Sequence, residues 1–271
     1  MLIRDPRPIS LLTGDTAVEA ISKLSTNRII LDSENNTDRI VVCDSNGRVV
    51  DAPYVVWDEN GVILLHCTTE IPEYLSSVAR TLSKNSSHVM NATGAIERFV
   101  CHEKYLPLNT GVSVNGLGVS GLYSIALNPL DYENIHVADL SLDILIEFGG
   151  LTDSHLNGNH LPHHIGLLEY VRLDNGCYPG QEIHARMDSR NPSSKKLIRI
   201  NLDGVRDIKS LTIQGHNCRL IPEWSDSYAH GITHQDLLDG EYETEFGIVH
   251  TTTVNTAPVS YTHLTLPTST H

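Results

Sequence analysis

Apolar residues in the first hundred positions recur at two different spacings. The spacing is helical over residues 17–24 and 75–82, where apolar side chains return every three or four positions. Short apolar runs bounded by polar residues predict strands at 29–31, 39–43, 48–51, 54–57, 62–65 and 88–90. The order helix, strands, helix, strand predicts an α+β layer in which an antiparallel sheet carries helices on one face.

Two Asn-Gly pairs predict tight turns between consecutive strands. Asn46-Gly47 separates the second and third of these runs, and Asn60-Gly61 separates the fourth and fifth. A two-residue turn of type I′ needs positive φ at both central positions, which asparagine and glycine adopt most readily. Both pairs therefore predict β-hairpins.

The pattern changes in the middle of the chain. Residues 107–120 are rich in Gly, Asn and Ser and predict a loop. Residues 139–148 have apolar positions at helical spacing and precede Gly149-Gly150. Since glycine commonly ends a helix, this segment predicts a helix that stops at the glycine pair.

The last third of the chain has a different texture. From Lys196 onward, short alternating segments are separated by Gly and Asp, which predicts a small all-β domain.

The final residues contain no acidic side chain although the chain is otherwise acidic, and they resemble translated sequencing-adapter sequence. We expect these residues to be extended and unpaired, and the last strand of the β domain to be missing. We therefore predict three parts: an α+β domain at 1–194, a β domain at 195–258 and a non-native tail at 259–271.

Composition and charge exclude several classes of protein. Apolar residues make up 40% of the chain and charged residues 19%, as in an ordinary globular protein. The formal charge of −14 disfavours general nucleic-acid binding, because an acidic surface repels phosphate. No apolar run reaches the roughly 18 residues that a membrane span needs, and the first residues lack a signal or transit pattern. We expect a cytoplasmic protein without membrane insertion.

The five cysteines indicate reduced thiols. Their number is odd, they are widely spaced and no Cys-x-x-Cys pair occurs, which argues against a disulfide framework. Four of them lie in apolar or strand-like surroundings, and we expect Cys43, Cys67 and Cys218 to be buried. Cys177 is the exception.

Cys177 lies in the segment 174–182, which packs two glycines, a proline and a thiol into a few positions. Gly176 and Gly180 permit backbone shapes that a Cβ would block, and Pro179 restricts the turn. A helix is predicted to begin at Gln181, and backbone N–H groups at a helix start favour thiolate over thiol. Cys177 is therefore the candidate functional thiol. The alternative is a tight turn whose cysteine merely packs.

The segment also resembles a known family. Gly176-Cys177-Tyr178-Pro179-Gly180-Gln181-Glu182 is similar to the motif Lys-Gly-Cys-Tyr-x-Gly-Gln-Glu of the folate-binding YgfZ family, whose fold is GcvT-like. Weaker similarities lie at Asn46-Gly47-Arg48, Leu161-Pro162, Gly166-Leu167-Leu168, Arg186-Met187 and Gly247-Ile248-Val249.

The resemblance implies a fold and a function. It implies antiparallel sheets with helices around a central cavity, followed by a small C-terminal β-barrel. It also implies tetrahydrofolate or a related folate as the ligand, and a role in assembling or repairing iron–sulfur proteins, in which the motif cysteine matters. The partners would be those proteins or their assembly machinery. The folate-binding candidates are Asp51, Tyr178, Gln181, Glu182 and Arg186.

Departures from the family pattern keep other functions open. Asn175 replaces the leading lysine, and Leu145 stands near Glu147 where relatives have a charged residue. The related aminomethyltransferase carries paired acidic residues where this chain has only Asp51, and a lone aspartate at a turn is usually a surface or capping residue. A folate-dependent one-carbon transferase is therefore the second hypothesis. A module that has lost its ligand is the third.

Four histidines cluster between positions 155 and 164. His155, His160, His163 and His164 could suggest a metal site, since imidazole is a common ligand. Adjacent histidines point apart, however, and no cysteine or carboxylate completes a ligand set of known spacing. We therefore predict a solvated loop and no metal.

Overall fold

A computed structural model of the protein describes residues 2–14, 16–29, 37–58, 61–82, 88–102, 112–117, 123–128, 136–189, 194–202 and 208–254. These residues form a mixed α+β fold with two five-stranded sheets, a two-stranded hairpin and a six-stranded sheet. Short α-helices connect and cover the sheets.

The first sheet combines strands from the start and the middle of the chain. Its strands are β1 (Leu2–Arg4), β9 (Arg98–His102), β10 (Val112–Leu117), β11 (Tyr123–Leu127) and β12 (Val137–Asp139), in the spatial order β10-β11-β9-β1-β12. The pairs are antiparallel except β1 with β12, which is parallel. The expectation of purely antiparallel sheets is therefore wrong at this edge, where a crossover connection returns the chain in the same direction.

The second sheet is fully antiparallel. Its strands are β2 (Ile9–Leu12), β3 (Thr37–Arg39), β6 (Tyr54–Asp58), β7 (Gly61–Leu65) and β8 (Val89–Asn91), in the spatial order β3-β6-β7-β2-β8. A separate hairpin pairs β4 (Val42–Cys43) with β5 (Val49–Asp51). Gly47 has φ +71° in the turn between them, but Asn46 is not among the residues with positive φ, so the predicted type I′ turn is not formed although the hairpin is. The second predicted hairpin is present as β6 and β7, with Gly61 paired to Asp58; Asn60 lies outside the described residues.

Five α-helices occur in the described residues, at Ala17–Ser22 (α1), Leu75–Leu82 (α2), Leu142–Glu147 (α3), Asp153–Leu156 (α4) and Gln181–Asp188 (α5). The apolar faces of α1 and α2 pack with the second sheet in one core cluster. The helix predicted from residue 139 begins three residues later, because the Ser141 hydroxyl accepts a hydrogen bond from the Ile144 N–H and caps it. Gly149, at φ +76°, follows its last turn.

The six-stranded sheet is barrel-like and antiparallel. Its strands are β13 (Lys195–Asn201), β14 (Ser210–Ile213), β15 (His216–Leu220), β16 (Tyr228–His234), β17 (Gly240–Thr244) and β18 (Gly247–Thr253), in the spatial order β14-β15-β16-β13-β18-β17. Burial alternates along β14, so that one face turns to the interior. The strands predicted after Lys196 from alternating short segments are therefore confirmed.

The interior of the barrel-like sheet is not isolated from the rest of the molecule. Residues inside it form one apolar cluster. Leu197, Ile221 and Ile232, however, join the central cluster of the first part of the chain. The two parts therefore share buried apolar surface, which favours a fixed arrangement between them.

Two predictions concern segments that the described residues cover only in part. The loop predicted at 107–120 is wrong at Val112–Leu117, which forms strand β10. Apart from residues 112–117, this segment lies outside the described residues. The predicted non-native tail at 259–271 also lies outside them, so it stays a prediction.

No helix in the described part of the chain is long and apolar enough to cross a membrane.

Candidate functional site

Asp51, at the end of β5, lies in the interior of the protein. Its side chain is fully buried, and Oδ1 accepts hydrogen bonds from the backbone N–H of Ala52 (2.8 Å) and of Cys67 (3.2 Å). Oδ2 lies 2.7 Å from Nδ1 of His66 and accepts a hydrogen bond from the Tyr74 hydroxyl at 3.0 Å. The expectation that Asp51 is a surface or simple capping residue is wrong, because it is the centre of a buried network.

His66 extends this network to Ser10. Its Nε2 lies 2.9 Å from the Ser10 hydroxyl oxygen, and both residues are buried. If Nδ1 carries the proton that faces Asp51, Nε2 accepts the serine proton, and the three side chains form one hydrogen-bonded chain. Sequence reasoning missed His66. Its signal was a histidine directly after the buried strand β7.

A second buried network surrounds Asp5. The carboxylate bonds the guanidinium of Arg7 at 2.7 Å and forms an ion pair with Arg98 at 2.7 Å. Burial alone would raise the pKa of Asp5, but the two guanidinium groups hold it well below its usual value. Arg98 also donates to the His66 carbonyl at 3.0 Å, so the two networks are joined.

Arg39 connects the centre of the molecule to the segment before the cysteine loop. Its guanidinium lies 4.6 Å from the ring centre of Tyr54 and 5.9 Å from that of Tyr170. Its Nε donates to the Ala52 carbonyl at 3.2 Å. Burial raises the pKa of both tyrosines, so these hydroxyls stay protonated near Arg39. The sequence signal for Arg39 was an arginine directly before the buried residues Ile40 and Val41.

Cys177 differs from the other cysteines in its exposure. Its side chain is exposed, whereas the four others are buried, as predicted for Cys43, Cys67 and Cys218. Burial raises the pKa of Cys218 to about 12. Within the part of the chain that the structure describes, the Cys177 sulfur has no hydrogen-bond partner, so the predicted contact with helix N–H donors is not formed.

The cysteine loop, residues 174–182, is fixed to the hairpin turn of β4 and β5. Gly180 has φ +81°, and a Cβ there would lie 2.3 Å from the Gly47 Cα. His184, buried in α5, bonds the Gly47 carbonyl through Nε2 at 2.8 Å. Only glycine fits position 180, since both the backbone angle and the close approach exclude a side chain.

The remaining predicted folate contacts support the loop or face solvent. Tyr178 is buried, and its hydroxyl lies 3.4 Å from Nδ1 of His184. Gln181 donates to the Leu173 carbonyl at 2.9 Å. Glu182 and Arg186 form an exposed ion pair one helical turn apart, at 2.8 Å. No hydrogen bond or ion pair of the described residues joins any of them to Asp51.

Three of the four clustered histidines are buried and His164 is half-buried, so the predicted solvated loop is wrong. His155, His160 and His163 are buried, and Nε2 of His155 lies 3.0 Å from Nδ1 of His230 in β16. Burial lowers the pKa of His163 to about 4 and that of His230 to about 3. His155 and His230 are neutral packing groups between α4 and the barrel-like sheet, whereas the His163 ring lies 5.8 Å from that of His184 in α5. Among the described residues, no group of His, Cys, Asp and Glu is arranged to hold a metal ion.

Open cavities lie beside both candidate regions. One of about 800 Å³ is bounded by Tyr74, which bonds Asp51, and by residues 68–73. Another of about 480 Å³ is bounded by Tyr170 and by Asp174 and Asn175 at the start of the cysteine loop. Cavities therefore lie next to both regions that the sequence singled out, while the predicted central cavity stays a prediction.

The two five-stranded sheets followed by the barrel-like sheet form a GcvT-like fold. The fold is similar to the crystal structure of the glycine cleavage system aminomethyltransferase T from Bartonella henselae, with a TM-score of 0.60. The similarity covers 95% of this chain and 85% of that chain, at 13% sequence identity. At this identity the likeness establishes the fold alone. No protein-family model and no curated protein sequence matches the chain.

Proposed function

We propose that the protein is a folate-binding accessory factor for the assembly or repair of iron–sulfur proteins, with Cys177 as its functional thiol. The observation that carries the proposal is the placement of Cys177, the exposed one of five cysteines, on a loop with a fixed backbone. The resemblance of that loop to the YgfZ motif and the GcvT-like fold support it.

The chemistry of the loop fits such a role. Iron–sulfur clusters are held by cysteine thiolates, and a thiol must reach solvent to contact a cluster or a client protein. Cys177 is accessible in this way, whereas the buried cysteines are not. The close contact of Gly180 with Gly47 fixes the backbone of the loop. Binding through the Cys177 sulfur therefore costs little conformational entropy of the loop.

Replacement of the thiol tests this proposal. We expect Cys177→Ser to keep wild-type stability, because the side chain is exposed, and to lose support of iron–sulfur enzymes in a host that lacks its own factor. The matched control is Cys218→Ser, which places a hydroxyl in a buried position and should lower stability instead. Full complementation by Cys177→Ser at normal protein levels would disprove the role of the thiol.

Folate binding needs its own test. The GcvT-like fold and the open cavity bounded by Tyr74, which bonds the buried Asp51, support a pterin site. Mass spectrometry of small molecules that co-purify with the protein, followed by titration with tetrahydrofolate, would measure it directly. Absence of both retention and binding would favour the module that has lost its ligand.

The second candidate function is a tetrahydrofolate-dependent one-carbon transferase. The observation in its favour is the burial of Asp51 among four hydrogen-bond contacts, because buried, fixed carboxylates are common in catalytic sites. If this function is correct, purified protein should form methylenetetrahydrofolate from an aminomethyl donor, and Asp51→Asn should abolish the reaction. Wild-type protein without turnover would leave the accessory role as the better hypothesis.

A further inference from the structure

The cavity of about 480 Å³ beside the cysteine loop has a rigid wall. Asn175 donates to the Ser25 carbonyl at 3.3 Å, and the backbone N–H of Arg172 donates to the Thr26 carbonyl at 2.9 Å. The Thr26 hydroxyl donates to the Tyr170 carbonyl at 2.6 Å. Three hydrogen bonds therefore hold the segment 170–175 against the segment after α1, and the cavity is formed before any ligand enters.

Charged side chains of both signs line this cavity without pairing. Arg28 and Arg172 contribute guanidinium groups, and Glu169 and Asp174 contribute carboxylates. Within the described part of the chain, none of these four side chains forms an ion pair or a side-chain hydrogen bond. Arg39 and Arg172 attract the Glu169 carboxylate through space, and Asp38 adds a third carboxylate to the wall. Because Arg28, Arg172, Glu169 and Asp174 make no direct contact with one another among the described residues, they can still pair with a ligand that carries both charges.

Tyr170 adds a buried polar group to the same wall. The residue borders the cavity, and its hydroxyl has no hydrogen-bond partner among the described residues. A buried hydroxyl without a partner is unfavourable, and such exceptions in a folded protein call for an explanation. The oxygen is closed off from solvent, so a ligand in the cavity would contact the charged side chains and not this hydroxyl.

We propose that this cavity binds a small zwitterion, with the carboxylate and ammonium groups of an amino acid. Arg28 and Arg172 would bind the carboxylate, since a guanidinium matches its two oxygens. Glu169 and Asp174 would accept hydrogen bonds from the ammonium group. The volume lies in the range of roughly 300–1,000 Å³ typical of small-molecule sites. The inference goes beyond the proposed function and does not depend on folate binding.

The same zwitterion could be a free amino acid or the end of a larger compound. Calorimetric titration of the full-length protein with L-glutamate, L-lysine and γ-glutamylglycine separates these sources. Acetate and ethylamine carry one of the two charges each and serve as single-charge probes. We expect saturable binding of at least one zwitterion, and binding of either single-charge probe that is weaker by about tenfold or more.

Two arginine variants and one control complete the test. Arg172→Gln and Arg28→Gln should each weaken zwitterion binding by about tenfold, since each removes a charged partner at an exposed position where folding is unaffected. Arg80→Gln, an exposed arginine in α2, should bind as the wild type does. The inference is overturned if no zwitterion binds, if acetate or ethylamine binds equally well, or if both cavity variants match the wild type. Tetrahydrofolate titration of the same preparation reports separately on the proposed function.

Discussion

At the residue scale, the hydrogen-bond partner of a buried polar atom determines how a substitution there changes stability. The hydroxyl of Tyr74 is bonded to Asp51, whereas the hydroxyl of Tyr170 has no partner among the described residues. Burial raises the pKa of both, so both hydroxyls stay neutral, but Tyr74 alone of the two donates a hydrogen bond within the described residues. The two tyrosines therefore form a matched pair, in which the same chemical change has opposite consequences.

We expect Tyr170→Phe to raise the free energy of unfolding by about 1 kcal/mol, because it removes a buried group that makes no hydrogen bond. Tyr74→Phe should lower it by about 1–3 kcal/mol, since the Asp51 carboxylate loses a donor. Urea unfolding of both variants measures the difference. Equal effects of the two substitutions would contradict the hydrogen-bond assignment.

At the scale of elements, the contact between the cysteine loop and the β4–β5 hairpin depends on the close approach of Gly180 to Gly47. Gly176, in the same loop, provides a comparison. Gly180 and Gly176 have nearly the same φ, +81° and +82°. They differ in their surroundings, because a Cβ at 180 would overlap the backbone of Gly47, whereas nothing lies within 4 Å of a Cβ at 176. Position 180 therefore combines backbone strain with a steric clash, and position 176 has backbone strain alone.

Gly180→Ala should destabilise the protein by about 3 kcal/mol or more, through the clash with Gly47 as well as the unfavourable φ. Gly176→Ala is the matched control and should lower stability by about 1 kcal/mol, the effect of the backbone angle alone. Thermal unfolding compares the two. If they lose the same amount of stability, the close approach of loop and hairpin is wrong.

For the whole molecule, the buried histidines connect its two main parts. His155 in α4 and His230 in β16 share a hydrogen bond of 3.0 Å, and desolvation lowers the pKa of each. In the unfolded chain a histidine has a pKa of about 6.5. Below that pH the unfolded state binds protons that the folded state does not, so folding stability must fall as the pH falls.

We expect the free energy of unfolding to decrease from about pH 6.5 downward, toward the folded-state pKa values of about 4 for His163 and about 3 for His230. Replacement His230→Phe should flatten this pH dependence, because one buried titrating group is removed. Ile248→Ala, at an exposed position in β18, removes no titratable group and should leave the slope unchanged. Chemical denaturation at a series of pH values measures the slopes, and an equal slope for wild type and His230→Phe would refute the role of this contact.

The sequence by itself determined features that depend on neighbours along the chain. The positions of the hairpins at Gly47 and Gly61 follow from the Asn-Gly pairs, although the turn at Gly47 is not of the predicted type I′. The helix before Gly149 follows from spacing and capping. The difference between exposed Cys177 and buried Cys43 follows from local apolar context. Each of these properties is set within a few residues, so periodicity and composition are sufficient to predict it.

Only the tertiary structure decided which distant residues meet. Asp51, His66 and Ser10 are joined because three strands place them in contact, and nothing in the spacing of these residues predicts it. The histidines near residue 160 looked solvated because polar residues in a loop usually are, yet three of them are buried, and His155 packs on His230 of the barrel-like sheet. Burial of a polar group depends on what packs over it, and that partner lies far away in sequence. Long-range packing therefore determines the candidate site, while local sequence determines the elements that build it.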